Sequence, residues 1–199
     1  MDRTDQSSAA AGRAPIAPER VETDRMVGER ISPEHGPELE RLLMDPRVTP
    51  TLWARDEPIT PADCEAGLSD KLRHWESYGF GQWLWRDRAS GEMVGRGGPQ
   101  WTNASGKDEI EIGWVIVPER WREGLATELA RASLDVAFGP LGLDEVIAYT
   151  LPDNVASWRV MEKTGFVFER EIEYVGLRHV LYRRRADPVG PSRTATPEA

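Results

Sequence analysis

Cysteine is almost absent from the chain. The single Cys64 among 199 residues cannot close an internal disulfide, which excludes the disulfide-stapled secreted scaffolds and favours a cytoplasmic setting. No run of about 18 apolar residues exists, so no membrane-spanning helix is expected. The first twenty residues also lack the apolar core of a signal peptide. Histidine is scarce: His35, His74 and His179 are far apart, none has metal-ligand spacing, and no metal is expected. Positive charge is in deficit. Twenty-five Lys plus Arg against 34 Asp plus Glu leave a net −9, the wrong sign for a general nucleic-acid binder. There is no Walker A run and no Gly-x-Ser-x-Gly elbow. The glycines at 95, 97 and 98 lack the third glycine of a dinucleotide fingerprint and precede no helix. Cys64 lies between Asp63 and Glu65, whose charges disfavour a thiolate nucleophile.

What is present suffices for one domain. Hydrophobic residues make up 39% of the chain, and eight tryptophans supply either a bulky core or an aromatic-lined surface. Residues 1–20 and 186–199 are rich in Ala, Ser, Pro and charge without apolar periodicity, and read as flexible arms around a domain at 21–185. Val21–Arg30 reads as a first strand. Ser32 and Pro33 open a helix to about Met44, and Thr60 and Pro61 open another to about Tyr78. Three strands follow, at 80–85, 92–101 and 109–117, the last stopped by Pro118. A glycine-bearing turn leads to a helix ending at Gly139-Pro140, with Leu125, Leu129, Ala132 and Val136 on one stripe. A strand at 144–151, a helix at 155–164 and a hairpin at 166–184 complete the order. This is the pattern of a single α/β domain with a mixed, mostly antiparallel sheet flanked by helices.

The segment VIVPERWREGLATELA, from Val115 to Ala130, carries chemical information. A strand stops at proline, and a basic turn leads through Gly124 into a helix. Free N–H groups at such a helix start favour an anion. Arg120 and Arg122 add positive charge there. A second segment, NVASWRVMEKTGFVF from Asn154 to Phe168, stands downstream.

Together these segments resemble the GNAT superfamily of acyl-CoA N-acyltransferases. The first is similar to its pyrophosphate loop, Arg/Gln-x-x-Gly-x-Gly/Ala, with Trp121 at the leading position. The second is similar to its Asn-led helix and the Glu-Lys-x-Gly-Phe that follows. Glu22–Met26, Tyr78–Gly81, Gly91–Gly95 and Glu111–Trp114 match, in kind and order, the branch that includes the ribosomal-protein N-terminal (Rim-type) acetyltransferases. The resemblance implies a splayed strand pair that receives acetyl-CoA, and direct attack of a primary amine on the thioester. It implies that Val115 and Val117 offer main-chain groups to pantetheine. The N–H groups of Arg122, Glu123, Gly124, Leu125 and Ala126 would hold the diphosphate, and Arg159 and Lys163 the adenosine end. Asn154 would bond pantetheine or the splayed strand. Glu111 would act as base, with Glu109 on the same strand face, and Ser157 would hold a water or the thiol. Helices between 33 and 78, with Trp53, Trp75 and Tyr78, would wall the acceptor side. Many relatives place a proton-donating tyrosine where Met161 stands, so the general acid is unassigned. The acceptor is a protein N-terminus or a small amine, no nucleic acid or membrane is involved, and a homodimer is left open. A non-catalytic acyl-CoA sensing module, or a donor such as succinyl-CoA, are the alternatives.

Overall fold

The polar run Thr23-Asp24-Arg25 decides how the chain begins. The Thr23 N–H bonds the Met26 carbonyl (2.9 Å) and the Met26 N–H bonds Thr23 Oγ1 (3.0 Å). That tight turn splits the expected single strand into a hairpin of β1 (Arg20–Glu22) and β2 (Met26–Arg30). The computed structural model describes residues 16–52 and 58–187. The expectation for Trp53 therefore lies outside the described residues, as do most of both arms. What is described of the first arm is docked. Ala17 is buried, its N–H bonds the Gly79 carbonyl (2.9 Å), and the Pro18 carbonyl accepts from Trp83 Nε1 (3.0 Å). The packed domain thus begins before residue 20. At the other end the Ala186 N–H still bonds the Asp144 carbonyl (2.8 Å).

After Ser32 the first turn is a 3₁₀ helix, Pro33–His35, which leads into α1 (Gly36–Leu43). Pro37 has no N–H to return to Pro33, so the Gly36 N–H takes the Pro33 carbonyl instead. A short α2 (Thr49–Leu52) follows, then α3 (Pro61–Tyr78). Thr60 caps α3 as expected: its hydroxyl accepts from the Asp63 N–H (3.2 Å), and the Asp63 carboxylate accepts from the Thr60 N–H (2.9 Å). Gly79, at φ 71, closes it.

The rest alternates around one eight-stranded sheet. Strands β3 (Trp83–Asp87), β4 (Met93–Thr102) and β5 (Glu109–Ile116) form a meander. Then come α4 (Leu125–Phe138), β6 (Glu145–Thr150), α5 (Val155–Lys163), β7 (Val167–Tyr174) and β8 (Leu177–Arg185). The spatial order is β1-β2-β3-β4-β5-β6-β8-β7, antiparallel except for β5 beside β6. Helix α4 buries Leu125, Leu129, Ala132 and Val136 on the face that carries Trp83, Trp85, Ile112 and Ile116. Each Leu, Val or Ile buried in this way contributes about 1.5–3 kcal/mol. The opposite face packs Leu84, Met93 and Val115 against Leu39 and Leu42 of α1 and Leu68 and Leu72 of α3. The tryptophans thus serve mainly the core: Trp75, Trp83 and Trp85 are buried and stack edge to face. Gly97 is required by close approach, because a Cβ there would sit 2.4 Å from the Gly113 carbonyl and 2.7 Å from Leu129.

Candidate functional site

Strands β5 and β6 are paired only at Glu111 opposite Ile147. Beyond that point both continue, Ile112 to Ile116 and Ala148 to Thr150, without pairing each other. They form a fork that opens into a cleft of about 1270 Å³. The pairing of β5 with β4 has no register shift, and the Val117 N–H bonds the Val94 carbonyl (3.0 Å). Residues 115 and 113 have the same parity and also turn their main-chain groups to β4. The groups aimed into the fork therefore belong to Trp114 and Ile116. The Ile116 carbonyl accepts the Trp121 indole N–H (2.8 Å). The expected main-chain partners, Val115 and Val117, are corrected by one residue. The Val117 carbonyl is also engaged, by the Arg120 N–H (3.0 Å).

The turn before α4 forms one end of the cleft. Arg122 and Gly124 both adopt positive φ, 69 and 82, and this places successive N–H groups on one concave side ahead of the helix start. The first N–H groups of α4 have no partner within the helix. The turn is clamped from outside. Glu128 accepts from the Thr23 hydroxyl (2.6 Å), the Arg25 N–H (3.0 Å) and Arg25 Nε (2.7 Å), and Arg25 Nη1 bonds the Glu123 carbonyl (2.9 Å). Arg120 does not face the cleft as a free cation. It is paired with Glu123 (2.8 Å) and Asp87 (3.2 Å), so the Glu123 side chain is engaged as well. Arg122, Arg159 and Lys163 line the cleft, and none of them has an ion pair among the described residues. A cradle of N–H groups, three unpaired cations and an open strand edge fit an extended ligand with a diphosphate.

At the start of α5, the Asn154 side chain accepts from the Ser157 N–H (3.2 Å). It donates to Thr150 Oγ1 at the end of β6 (3.0 Å) and to the Thr51 carbonyl of α2 (3.3 Å). It therefore caps its own helix and holds one prong of the fork. The Ser157 hydroxyl, on the cleft wall, has no partner among the described residues. Met161 lies beside it, buried.

The inner end of the cleft is polar and charged. Glu111 is buried, and its carboxylate accepts from Gln100 Nε2 (2.9 Å) and is hydrogen-bonded to Tyr149. Burial pushes its carboxyl above the usual range. The Gln100 and Tyr149 hydrogen bonds and the charges of Lys71 and Arg96 oppose that rise. The Tyr149 phenol is pushed up by burial and by Glu111. Lys71 is partly buried, and desolvation with the Arg96 charge brings it down to about 7, although Glu111 pulls the other way. Arg96 is 9% exposed, and its Nη1 bonds Gln82 Oε1 (2.6 Å). Lys71, Gln82, Gln100, Tyr149 and Tyr174 also line an adjoining outer chamber of about 450 Å³, rimmed by Asp70, His74, Trp101 and Asp108.

Two expectations for this end are revised. Glu109 is buried against Arg183 (2.6 Å) and Lys107 (3.0 Å), so it serves the sheet and not the cleft. Trp75 is a core residue, its indole N–H on the Gln82 carbonyl (2.8 Å), and α3 presents Gly67, Asp70, Lys71 and His74 to the chamber instead. Tyr78 packs outside, near Trp101. Lys71, Gln82, Arg96, Gln100 and Tyr149 were not foreseen. Arg96 and Gln100 share one face of β4, but Lys71 on α3, Gln82 ahead of β3 and Tyr149 on β6 are joined to them by no local spacing. No group of His, Cys, Asp and Glu suited to a metal ion occurs among the described residues. None of their helices is long and apolar enough to cross a membrane.

Comparison with known proteins gives the family. Residues 25–167 match the acetyltransferase (GNAT) domain model. YkkB of Bacillus subtilis (strain 168), an uncharacterized protein, is 30% identical over 131 residues, 61% of this chain and 76% of that protein. The acetyltransferase structure from Agrobacterium tumefaciens str. C58 shares the fold with TM-score 0.72 at 22% identity, over 84% of this chain and 94% of that one. RimL, a ribosomal L7/L12 alpha-N-protein acetyltransferase solved with coenzyme A, superposes with TM-score 0.69 at 15% identity, over 84% and 98%.

Proposed function

The chain belongs to the GNAT acetyltransferase family, and on that premise we propose that it transfers the acetyl group of acetyl-CoA directly to a primary amine in the cleft between β5 and β6. One observation carries the reading. The fork past Glu111 and the N–H cradle at Arg122–Ala126 open into the same cleft, with Glu111 at its inner end. When bound, acetyl-CoA supplies an activated acetyl thioester. The N–H groups of Glu123 to Ala126 receive the diphosphate, and Arg122, Arg159 and Lys163 neutralise its charge and that of the adenosine end. Trp114 and Ile116 offer the strand edge to the pantetheine amides.

Glu111 takes a proton from the incoming ammonium, directly or through a water held at Gln100 and Tyr149. The neutral amine forms its C–N bond to the acetyl carbon as the C–S bond breaks, and the proton that the nitrogen loses on becoming an amide passes to the departing thiolate. Ser157 places a hydroxyl on that side of the cleft. A carboxyl raised by burial is a stronger base than an exposed one, which suits the task. The acceptor enters through the outer chamber, where Asp70 and Asp108 favour a cation. The test is release of free thiol from acetyl-CoA against a panel of amines and N-terminal peptides, with calorimetry of CoA binding. Turnover with at least one amine, lost in Gly124→Val together with CoA affinity, is the expected result. CoA binding unchanged in that variant would sink the assignment of the cradle.

A further inference from the structure

The proposed reaction uses Glu111 but leaves two basic side chains near it without a task, the buried Arg96 and the partly buried Lys71. Arg96 projects from the middle of β4 into the cleft and is more than nine-tenths buried. Of its donors, Nη1 is used by Gln82, and Nε is buried with no partner. It has no ion pair among the described residues. Lys71, on the facing wall of α3, has neither a hydrogen bond nor an ion pair among them. Glu111 is the carboxylate whose charge acts on both, yet it makes an ion pair with neither, and its hydrogen bonds go to Gln100 and Tyr149. Asp70 lies farther out, paired with Arg73 (2.9 Å). Arg96 thus holds donors in the inner cleft that no carboxylate contacts.

A buried guanidinium without a direct ion pair is costly. Its planar fork of donors matches a carboxylate. We propose that Arg96, oriented by Gln82 and flanked by Lys71, is a carboxylate subsite, so that one of the two reactants carries a carboxylate in addition to its reacting group. The inference rests on the acetyltransferase reading for the placement of the reactants. The carboxylate has two sources: an amino-acid acceptor, or a dicarboxylic acyl group on CoA. Register favours neither. Arg96 stands opposite Val115 on β5, within the same cleft as the fork, and Lys71 and Gln82 also face the outer chamber.

The experiment compares matched pairs on the full chain. In one arm acetyl-CoA is offered with a panel of α-amino acids, each against its own carboxamide. In the other, succinyl-CoA is compared with butyryl-CoA on one fixed primary amine that lacks a carboxylate, such as an amino-acid carboxamide. At least one arm should show a preference for the carboxylate member of about 10²-fold or more in kcat/KM. The arm that shows it names the source. Arg96→Gln should bring that ratio to within a few-fold of one, and Arg96→Lys should retain part of it. Equal rates within every wild-type pair overturn the proposal whether or not the variants fold, and so does a preference that survives Arg96→Gln. If no acceptor is turned over, it is the acetyltransferase reading that fails. The subsite is then tested by calorimetry on the CoA-loaded protein, with succinate against succinamide and N-acetylglycine against its amide. Selective binding of the carboxylates supports it, and equal or no binding overturns it.

Discussion

Glu111 is placed where two demands conflict. It is enclosed by the sheet and α3, so its charged form is penalised, yet a base must be charged to accept a proton. Gln100 and Tyr149 moderate the conflict by stabilising the carboxylate. A carboxyl raised in this way loses its base form as pH falls through the raised value, so kcat/KM should decline on the acid side at a pH above the ordinary 4.5. Glu111→Gln should lower kcat/KM by roughly 10²-fold or more near neutral pH. The deficit should narrow at high pH, where the acceptor is already neutral. A pH–rate profile of the variant decides between roles: an acid limb like the parent's, with only KM changed, assigns Glu111 to binding and not to proton transfer. Gly113 makes a second test at this scale. A Cβ there would meet Glu111 Oε1 at 3.1 Å and Gln82 Nε2 at 3.3 Å. Gly113→Ala should therefore reduce kcat several-fold by displacing the carboxylate, with CoA affinity little changed by calorimetry.

At the scale of elements, the cradle depends on a hairpin far from it in sequence. The β1–β2 turn reaches α4 through Arg25, which bonds both Glu128 and the Glu123 carbonyl. Arg25→Ala leaves those acceptors to water and frees a turn that contains the positive-φ residue Arg122. CoA should bind several-fold to tenfold more weakly, while Gly124→Val should weaken it by at least tenfold, both read by calorimetry. Parallel losses in melting temperature large enough to explain the affinity would instead make Arg25 a general fold residue. Much of this element order was legible in the sequence, because its punctuation is local. Thr60-Pro61, Pro118, Gly124 and Gly139 each end or start an element through backbone rules that act within a few residues. The cradle and the carboxylate at Glu111 are expected by the same means joined to the family resemblance, and their roles are part of the proposal. Strand parity was not legible: apolar alternation tells which face a side chain takes, but not which neighbour the N–H addresses, and the main chain of Val115 addresses β4. Nor was the Arg96–Gln82–Glu111–Lys71 wall, which exists only once β3, β4, β5 and α3 have met.

For the whole molecule, the two glutamates of β5 pull stability in opposite directions with pH. Burial pushes Glu109 up, but hydrogen bonds led by Arg183 outweigh it and hold its carboxyl down to about 2, against 4.5 ordinarily. Its contribution, on the order of 3 kcal/mol, is present above pH 4.5 and is lost as pH falls from there toward 2. Glu111 has the reverse sign. Its folded-state value is raised, so its ionised form opposes folding at neutral pH, and that cost disappears as pH falls through the raised value toward 4.5. Between these windows the fold should be at its most resistant on the acid side of neutrality, while catalysis through Glu111 favours the alkaline side. Separating the two is a matter of melting curves across pH 2–9. Glu109→Gln should lower the melting temperature by several degrees at pH 7, with the difference shrinking below pH 4. Glu111→Gln should raise it at pH 7 and lose that advantage below pH 5, even as its turnover collapses. That would be the pattern of a site kept charged for its chemistry at a cost in stability. A Glu111→Gln protein less stable than the parent at pH 7 would mean that the hydrogen bonds to Gln100 and Tyr149 outweigh burial, and would remove the physical basis for a raised base.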